Sequence, residues 1–247
     1  MSGHFKAFDE RRAALIDKLG MLAEQANGIG ATTLSGRIKR DVVDKLAEDR
    51  FNLVVVGEFN HGKTSFVNAL LKKEALPVGV TPTTALIHHV SYADEPHAAL
   101  VKQDGERSEL PFEKLSSLAV GQQEAEDIKR VDVGYPAELL RERIVLVDTP
   151  GVNDLCLQRA DITYKYIPQS DAVLFVIDAG QPLKESERLF LRDKLLGQSR
   201  DKIIFVVNKA DIWSDNERDE ALGYIKSELA KLIEGPVVFP VSAQKAA

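Results

Sequence analysis

The sequence predicts an α/β domain with a mostly parallel central sheet flanked by helices, preceded by an N-terminal helical hairpin. Three observations carry that prediction. From Phe51 onward, short β-branched runs alternate with stretches of helical periodicity, the alternation that strand and crossover helix produce in a parallel sheet. Most of these runs are apolar at successive residues rather than alternate ones, as strands covered on both faces must be. The first fifty residues instead repeat apolar side chains at three- and four-residue steps, which is helical spacing.

Taken in order, Phe5, Phe8, Leu15, Leu19, Leu22 and Ala26 predict one stripe of a first helix, with Arg12 as the break in the seam. Asn27-Gly28-Ile29-Gly30 ends it, because glycine tolerates the left-handed turn of a helix C-terminus. Thr32, Thr33 or Ser35 is expected to cap a second helix with Leu34, Ile38, Val42 and Leu46 on its apolar face. Residues 1–50 thus read as a hairpin that either packs on the next domain or joins a larger helical bundle. Strands are expected at Phe51–Val56, Leu86–Tyr92, Ile144–Val147, Ala172–Ile177, Lys202–Val207 and Val237–Pro240. Helices are expected at Lys63–Leu71, Ala160–Tyr166, Leu183–Leu196 and Asn216–Ile233. Residues 97–134 interrupt the alternation. They read as a hairpin, Ala98–Gln103 and Arg107–Leu110 about Asp104-Gly105, then a helix over Phe112–Ala119 and a strand over Ile128–Tyr135.

Composition sets the outer limits. The 247 residues carry 32 Lys+Arg against 38 Asp+Glu, a net charge of −6, with 44% apolar residues. That suits one folded domain plus an appendage and excludes a disordered chain. The mild acidity argues against a general polyanion binder, so no nucleic-acid partner is expected. A single cysteine, Cys156, excludes an internal disulfide and a multi-cysteine zinc site, and suits a reducing compartment. The apolar runs are too short to span a membrane as helices. No signal-peptide core, myristoylation glycine or prenylation cysteine is present. A cytoplasmic location is the expectation.

The chemistry begins directly after the first strand. Gly57-Glu58-Phe59-Asn60-His61-Gly62-Lys63-Thr64 fits G-x-x-x-x-G-K-[ST]. The glycines let successive backbone N–H groups point at phosphate oxygens, and the following helix aims its positive end at the same place. The expected phosphate contacts are Gly57, Asn60, His61, Gly62, Lys63, Thr64 and Ser65. Lys63 supplies charge to the β and γ phosphates, and the Thr64 hydroxyl is a Mg²⁺ ligand. Asp148-Thr149-Pro150-Gly151 closes another strand. There Asp148 is placed to hold Mg²⁺ and the Gly151 N–H to meet the γ phosphate. Asn208-Lys209-Ala210-Asp211 closes a third. The two Asp211 oxygens match the paired N1–H and N2 donors of guanine, the Lys209 stem can lie on the base, and Asn208 can tie this loop to the phosphate loop. Ser242-Ala243, just past the last strand, is placed for a backbone N–H to reach the guanine O6. In this order the motifs define a guanine-nucleotide-binding P-loop domain.

Thr84 is the favoured switch threonine for Mg²⁺ and the γ phosphate, with Thr83 as its competitor. Val152 follows Gly151 where Ras-type GTPases carry a water-orienting glutamine. Asn60 supplies an alternative aid to hydrolysis. Its amide oxygen either coordinates a monovalent cation such as K⁺ between the β and γ phosphates or braces the loop. The catalytic set is then Lys63, Thr84, Asn60 and Gly151, and the metal set is Thr64, Thr84 and Asp148.

The run Gly57–Leu71 resembles the phosphate loop and following helix of bacterial dynamin-like proteins. So do Pro82-Thr83-Thr84-Ala85, Tyr135-Pro136 ahead of Ile144–Asn153, and Ser170-Asp171-Ala172-Val173. The resemblance covers about residues 50–243. It implies a dynamin-type GTPase domain over 51–247, ending before its last helix, with 1–50 as a neck or bundle segment. It further implies GTP hydrolysis to GDP, nucleotide-dependent dimerisation across the GTP face, and coupling to membrane binding or remodelling. Lipid contact would come through regions absent from this chain, at the inner membrane face. By position, Asn60 matches the loop residue that holds the charge-compensating cation in such enzymes. His61 departs from the small or basic residue expected there. Two other classes remain open on the residues alone: a ribosome- or RNA-associated GTPase switch, and a module that binds GTP without turning it over.

Overall fold

The computed structural model describes residues 2–78, 86–115, 127–151, 166–199 and 202–246. The chain divides into two compact units, Met1–Arg50 and Phe51–Ala247. Among the described residues no helix is long and apolar enough to cross a membrane.

The first unit is α1 (Ser2–Gly28) followed by a continuous helical stretch, α2 (residues 32–47). This second stretch is α-helical over Thr32–Arg37, π-helical over Ile38–Val43 and α-helical again over Asp44–Ala47. The turn uses Gly30 at φ 81°. The cap expected from Thr32, Thr33 or Ser35 is not there: Ala31 occupies the N-cap position without a side-chain bond, and Ser35 is buried inside the helix. The inward face of α1 keeps Leu19 and Ala26 of the expected stripe but not its bulkier members. Ala23 and Ala26 are buried and Ile16 and Leu19 half-buried, whereas Phe8, Leu15 and Leu22 are 58%, 46% and 49% exposed. Leu34 and Val42 are exposed likewise. Arg12 belongs to the inward face and pairs with Asp49, so it anchors the seam that it was expected to break. The Phe5 side chain lies outside the described residues.

The second unit is built on one nine-stranded sheet. Its strands are β1 (Phe51–Val56), β2 (His88–Tyr92), β3 (His97–Lys102), β4 (Arg107–Leu110), β5 (Ile128–Tyr135), β6 (Ile144–Asp148), β7 (Ala172–Asp178), β8 (Ile203–Asn208) and β9 (Val237–Pro240). They are ordered β4-β3-β5-β2-β6-β1-β7-β8-β9. All pairs from β6 through β9 are parallel, as is β2 with β5. The β2–β6 pair and the β3 pairings are antiparallel. The hairpin forms where Asp104-Gly105 predicts it, with Gly105 at φ 93°.

Successive residues of the central strands enter opposite cores. Val54, Val56, Phe175, Ile177, Phe205 and Val207 pack on one face with Phe190, Leu191, Leu195, Ile225 and Leu229. These last five come from α4 (residues 185–199) and α5 (Asp215–Ala230). Val55, Leu146, Leu174, Val176 and Val206 pack on the other with Phe66, Val67 and Leu71 of α3 (Lys63–Leu71). This two-sided burial is why the strands read as unbroken apolar runs. α4 contains a π-helical turn at Leu191–Leu195. α5 starts one residue before its expected bound because Glu217 accepts both the N–H and the hydroxyl of Ser214, at 2.8 and 2.6 Å. The expected helix over Phe112–Ala119 is a 3-10 turn at Phe112–Lys114, and its later part lies outside the described residues. So does nearly all of the helix expected at Ala160–Tyr166.

Candidate nucleotide-binding site

Four strands deliver the sequence motifs to one edge of the sheet. β1, β6 and β8 are mutually aligned through parallel pairing and end at Val56, Asp148 and Asn208, and β9 ends two residues before Ser242. The C-terminal edge of a parallel sheet is where open α/β folds place ligands.

The loop between β1 and α3 has the backbone its glycines require. Gly62 lies at φ 75°, and a Cβ there would stand 2.6 Å from Asn208 Nδ2. Gly57 lies at φ 154°, with the Val176 carbonyl oxygen 2.5 Å from where a Cβ would be. Lys63 is buried and donates to the carbonyls of Gly57 and Glu58 at 3.0 and 2.8 Å. Its ammonium is therefore held against the loop. Asn60 is at φ 64° and exposed. Ser65 opens α3 on the border of the adjoining cavity.

Thr64 and Asp148 meet directly, the hydroxyl donating to Oδ2 at 2.7 Å. Asp148 is buried, and its Oδ1 has no hydrogen-bond partner among the described residues. Burial pushes its carboxyl up to about 6, against the opposing pull of the Thr64 bond and the Lys63 charge. A buried carboxylate with one open oxygen beside a hydroxyl on the phosphate side fits a divalent cation. Thr149 donates to the Val55 carbonyl at 2.7 Å, fixing the strand end that carries Gly151. Gly151 itself is buried, and a Cβ on it would lie 2.7 Å from the Phe59 nitrogen, so only glycine permits this approach to the phosphate loop.

At the other end, Asn208 is the hub. Its amide donates to the His61 carbonyl at 3.0 Å and its Oδ1 accepts the Ala243 N–H at 3.1 Å. Of the two backbone N–H groups at Ser242-Ala243, that of Ala243 is thus committed to Asn208. Lys209, at φ 62°, reaches the Asn60 carbonyl at 2.8 Å and Asp178 at 2.5 Å. The Ser242 hydroxyl bond holds the Asp211 carboxyl below its ordinary range. A cavity of about 490 Å³ is bordered by Gly62, Ser65, Asn208, Lys209, Asp211 and Ala243, within the range of small-molecule sites.

Thr83, Thr84 and Val152 lie outside the described residues. Several residues of the site area escaped the sequence reading. Glu58 lies at a variable position of the loop motif, and Asp178 and Glu187, which meet Lys209 and His61, carry no motif of their own. Asn68 of α3 is buried; it accepts the Ala75 and Leu76 N–H groups at 3.1 and 2.8 Å and donates to the Leu76 carbonyl at 2.8 Å. A polar residue amid Phe66, Val67, Leu70 and Leu71 was the available signal.

Sheet order, loop and motif placement together define the P-loop GTPase fold. The particular family follows from comparison with known proteins. The description "Dynamin family" matches residues 53–210, and the chain belongs to that family. It is 36% identical over 210 residues to a probable transmembrane GTPase, FZO-like and chloroplastic, of Arabidopsis thaliana, which covers 83% of this chain and 20% of that protein. It is 30% identical over 216 residues to the bacterial dynamin-like protein of Nostoc punctiforme, which covers 78% of this chain and 31% of that protein. A chain of an oligomerised bacterial dynamin pair shares the fold with a TM-score of 0.65 at 24% identity, covering 98% of this chain and 39% of that one. This chain thus spans less than two thirds of the length of each of these relatives.

Proposed function

We propose that the 51–247 unit binds GTP with Mg²⁺ and hydrolyses it to GDP and phosphate as a dynamin-type GTPase domain. Residues 1–50 then serve as a neck or bundle segment. The observation that supports this most is the placing of Thr64–Asp148 and of Asp211–Ser242 along one rim, joined by the Asn208 and Lys209 bonds to the phosphate loop.

In this reading Lys63 and the loop N–H groups receive the β and γ phosphates, where charge develops during transfer. Asp211 accepts from the guanine N1–H and N2 groups, while Ser242 and Asn208 hold that reading edge in register with the loop. Mg²⁺, held by Thr64, Asp148 and Thr84, supplies Lewis-acid charge when bound, with K⁺ at the Asn60 amide as a second compensating charge. The Gly151 N–H follows the γ phosphate and moves when it leaves. A second copy of the chain, docking across the nucleotide face, excludes water and orders the switch segments. Membrane lipids are engaged through regions beyond these residues, at the inner membrane face of the cytoplasm. What favours self-association and a membrane role is family membership, since the residues described here contain neither partner nor membrane span.

Asp211→Asn tests the base reading. An amide in place of the carboxylate loses one acceptor for guanine and gains a donor for the extra carbonyl of xanthine. Nucleotide titrations should show GTP affinity down by about tenfold or more, the scale of a charged hydrogen bond, and a switch of preference to xanthosine triphosphate. Unchanged guanine preference would refute it.

A further inference from the structure

His61 has a setting that phosphate contact does not explain. Its ring is 2% exposed. Nδ1 bonds the Val176 carbonyl oxygen of β7 at 3.3 Å and lies 3.3 Å from Glu187 Oε1 of α4, a close polar approach in which that oxygen makes no hydrogen bond among the described residues, while Nε2 lies 3.8 Å from Glu58 Oε2. Both neighbours of Nδ1 are acceptors, so Nδ1 carries the hydrogen. Glu187 is fully buried, and its second oxygen accepts the Lys184 N–H at 2.9 Å, which closes the first turn of α4. Glu58 accepts from the Ser186 hydroxyl and lies 3.7 Å from Lys184 Nζ. Two phosphate-loop residues and the first turn of α4 therefore form one polar cluster.

The backbone around His61 shows what the cluster holds. Asn60 and Gly62, on either side, are both left-handed, at φ 64° and 75°. For asparagine that conformation carries a cost that surrounding contacts must offset. From one side the arch is held by Asn208 on the His61 carbonyl and Lys209 on the Asn60 carbonyl. From the other it is held by the His61 ring. The ring's anchor, the Val176 carbonyl, is also the group on which Gly57 packs, so both ends of the loop rest on one point of β7.

We propose that His61 is a positioning residue that couples the first turn of α4 to the phosphate loop and so fixes the Asn60–Gly62 arch for hydrolysis. The inference rests on the GTP-hydrolysing reading above. Ground-state affinity comes largely from Lys63 and the Asp211 end, which have their own supports. In the reading above, the loop that this arch shapes receives the phosphates, where negative charge grows in the transition state. Losing the ring should therefore lower kcat more than it raises KM.

Side-chain stereochemistry provides the test. Asparagine places its amide nitrogen near the position of Nδ1, whereas glutamine reaches toward that of Nε2. In the intact protein, His61→Gln should lower kcat for GTP about tenfold with KM changed less than about twofold. His61→Asn should recover at least about half of the wild-type kcat. Glu187→Ala should mimic His61→Gln, and the double variant should be no slower than either single one. Equal kcat for the Asn and Gln variants, multiplicative losses in the double variant, or a lowered Tm with kcat intact would each overturn the proposal while the wild type remains active. A wild type that binds GTP without turning it over would overturn the hydrolysis reading, and the proposal with it.

Discussion

Asp148 carries the sharpest electrostatic consequence of the fold. Burial raises its carboxyl from 3.8 to about 6. Between those values the folded state binds more protons than the unfolded one, so this group's contribution to stability falls as pH rises and the full cost stands above about pH 6. The shift corresponds to about 3 kcal/mol at most. His88, which faces Asp148 in the β2–β6 register, acts in the opposite sense. Burial lowers it from 6.5 to about 4, so its contribution is lost as pH falls through that interval. The two slopes oppose each other between about pH 4 and 6. Comparing wild type with Asp148→Asn isolates the carboxylate. Without nucleotide or Mg²⁺, the variant should be the more stable at pH 7.5 by up to about 3 kcal/mol, with the gap closing toward pH 4. Denaturation curves that show the variant less stable at pH 7.5 would contradict this account. The motif residues were legible because fixed spacing between a strand and a helix carries their meaning. Glu58 and Glu187 were not, because 129 positions separate them and only the pairing of β1 with β7 brings their segments together.

Among the elements, α3 shows how one polar side chain shapes a loop. Asn68 makes three hydrogen bonds to Ala75 and Leu76, just after Lys72 turns the chain at φ 56°. This pins the segment leading away from the phosphate-loop helix. Asn68→Ala leaves buried backbone groups unsatisfied and should cost about 1–3 kcal/mol. Urea unfolding checks this, and an unchanged midpoint would contradict it. The strands and α3 were readable because two-sided burial writes continuous apolar runs, and the β3–β4 hairpin because Asp-Gly suits its turn. The α1 face was misread in part, for a physical reason. Leu19 and Ala26 of the expected stripe lie inward, but periodicity weights the bulky Phe8, Leu15 and Leu22, where the close seam instead adds Ala23, with the Arg12 charge met by Asp49. Small residues and a paired arginine leave little trace in an apolar pattern.

At the scale of the whole molecule, four segments far apart in the chain reach one rim because β1, β6, β8 and β9 all run the same way through the parallel part of the sheet. That convergence was implicit in the motif order. The hydrogen bonds that lock it, through Asn208, Lys209 and Ser242, needed the folded geometry. The proposed help from a cation and a second copy would act at this rim, where Asn60 is exposed and Val152, not glutamine, follows Gly151. The most direct measurement is therefore GTP turnover per molecule against protein concentration, in potassium and magnesium buffer, with Lys63→Ala as the control. The account predicts turnover that rises with concentration while the control stays inactive. A flat profile at the level of the control would contradict it.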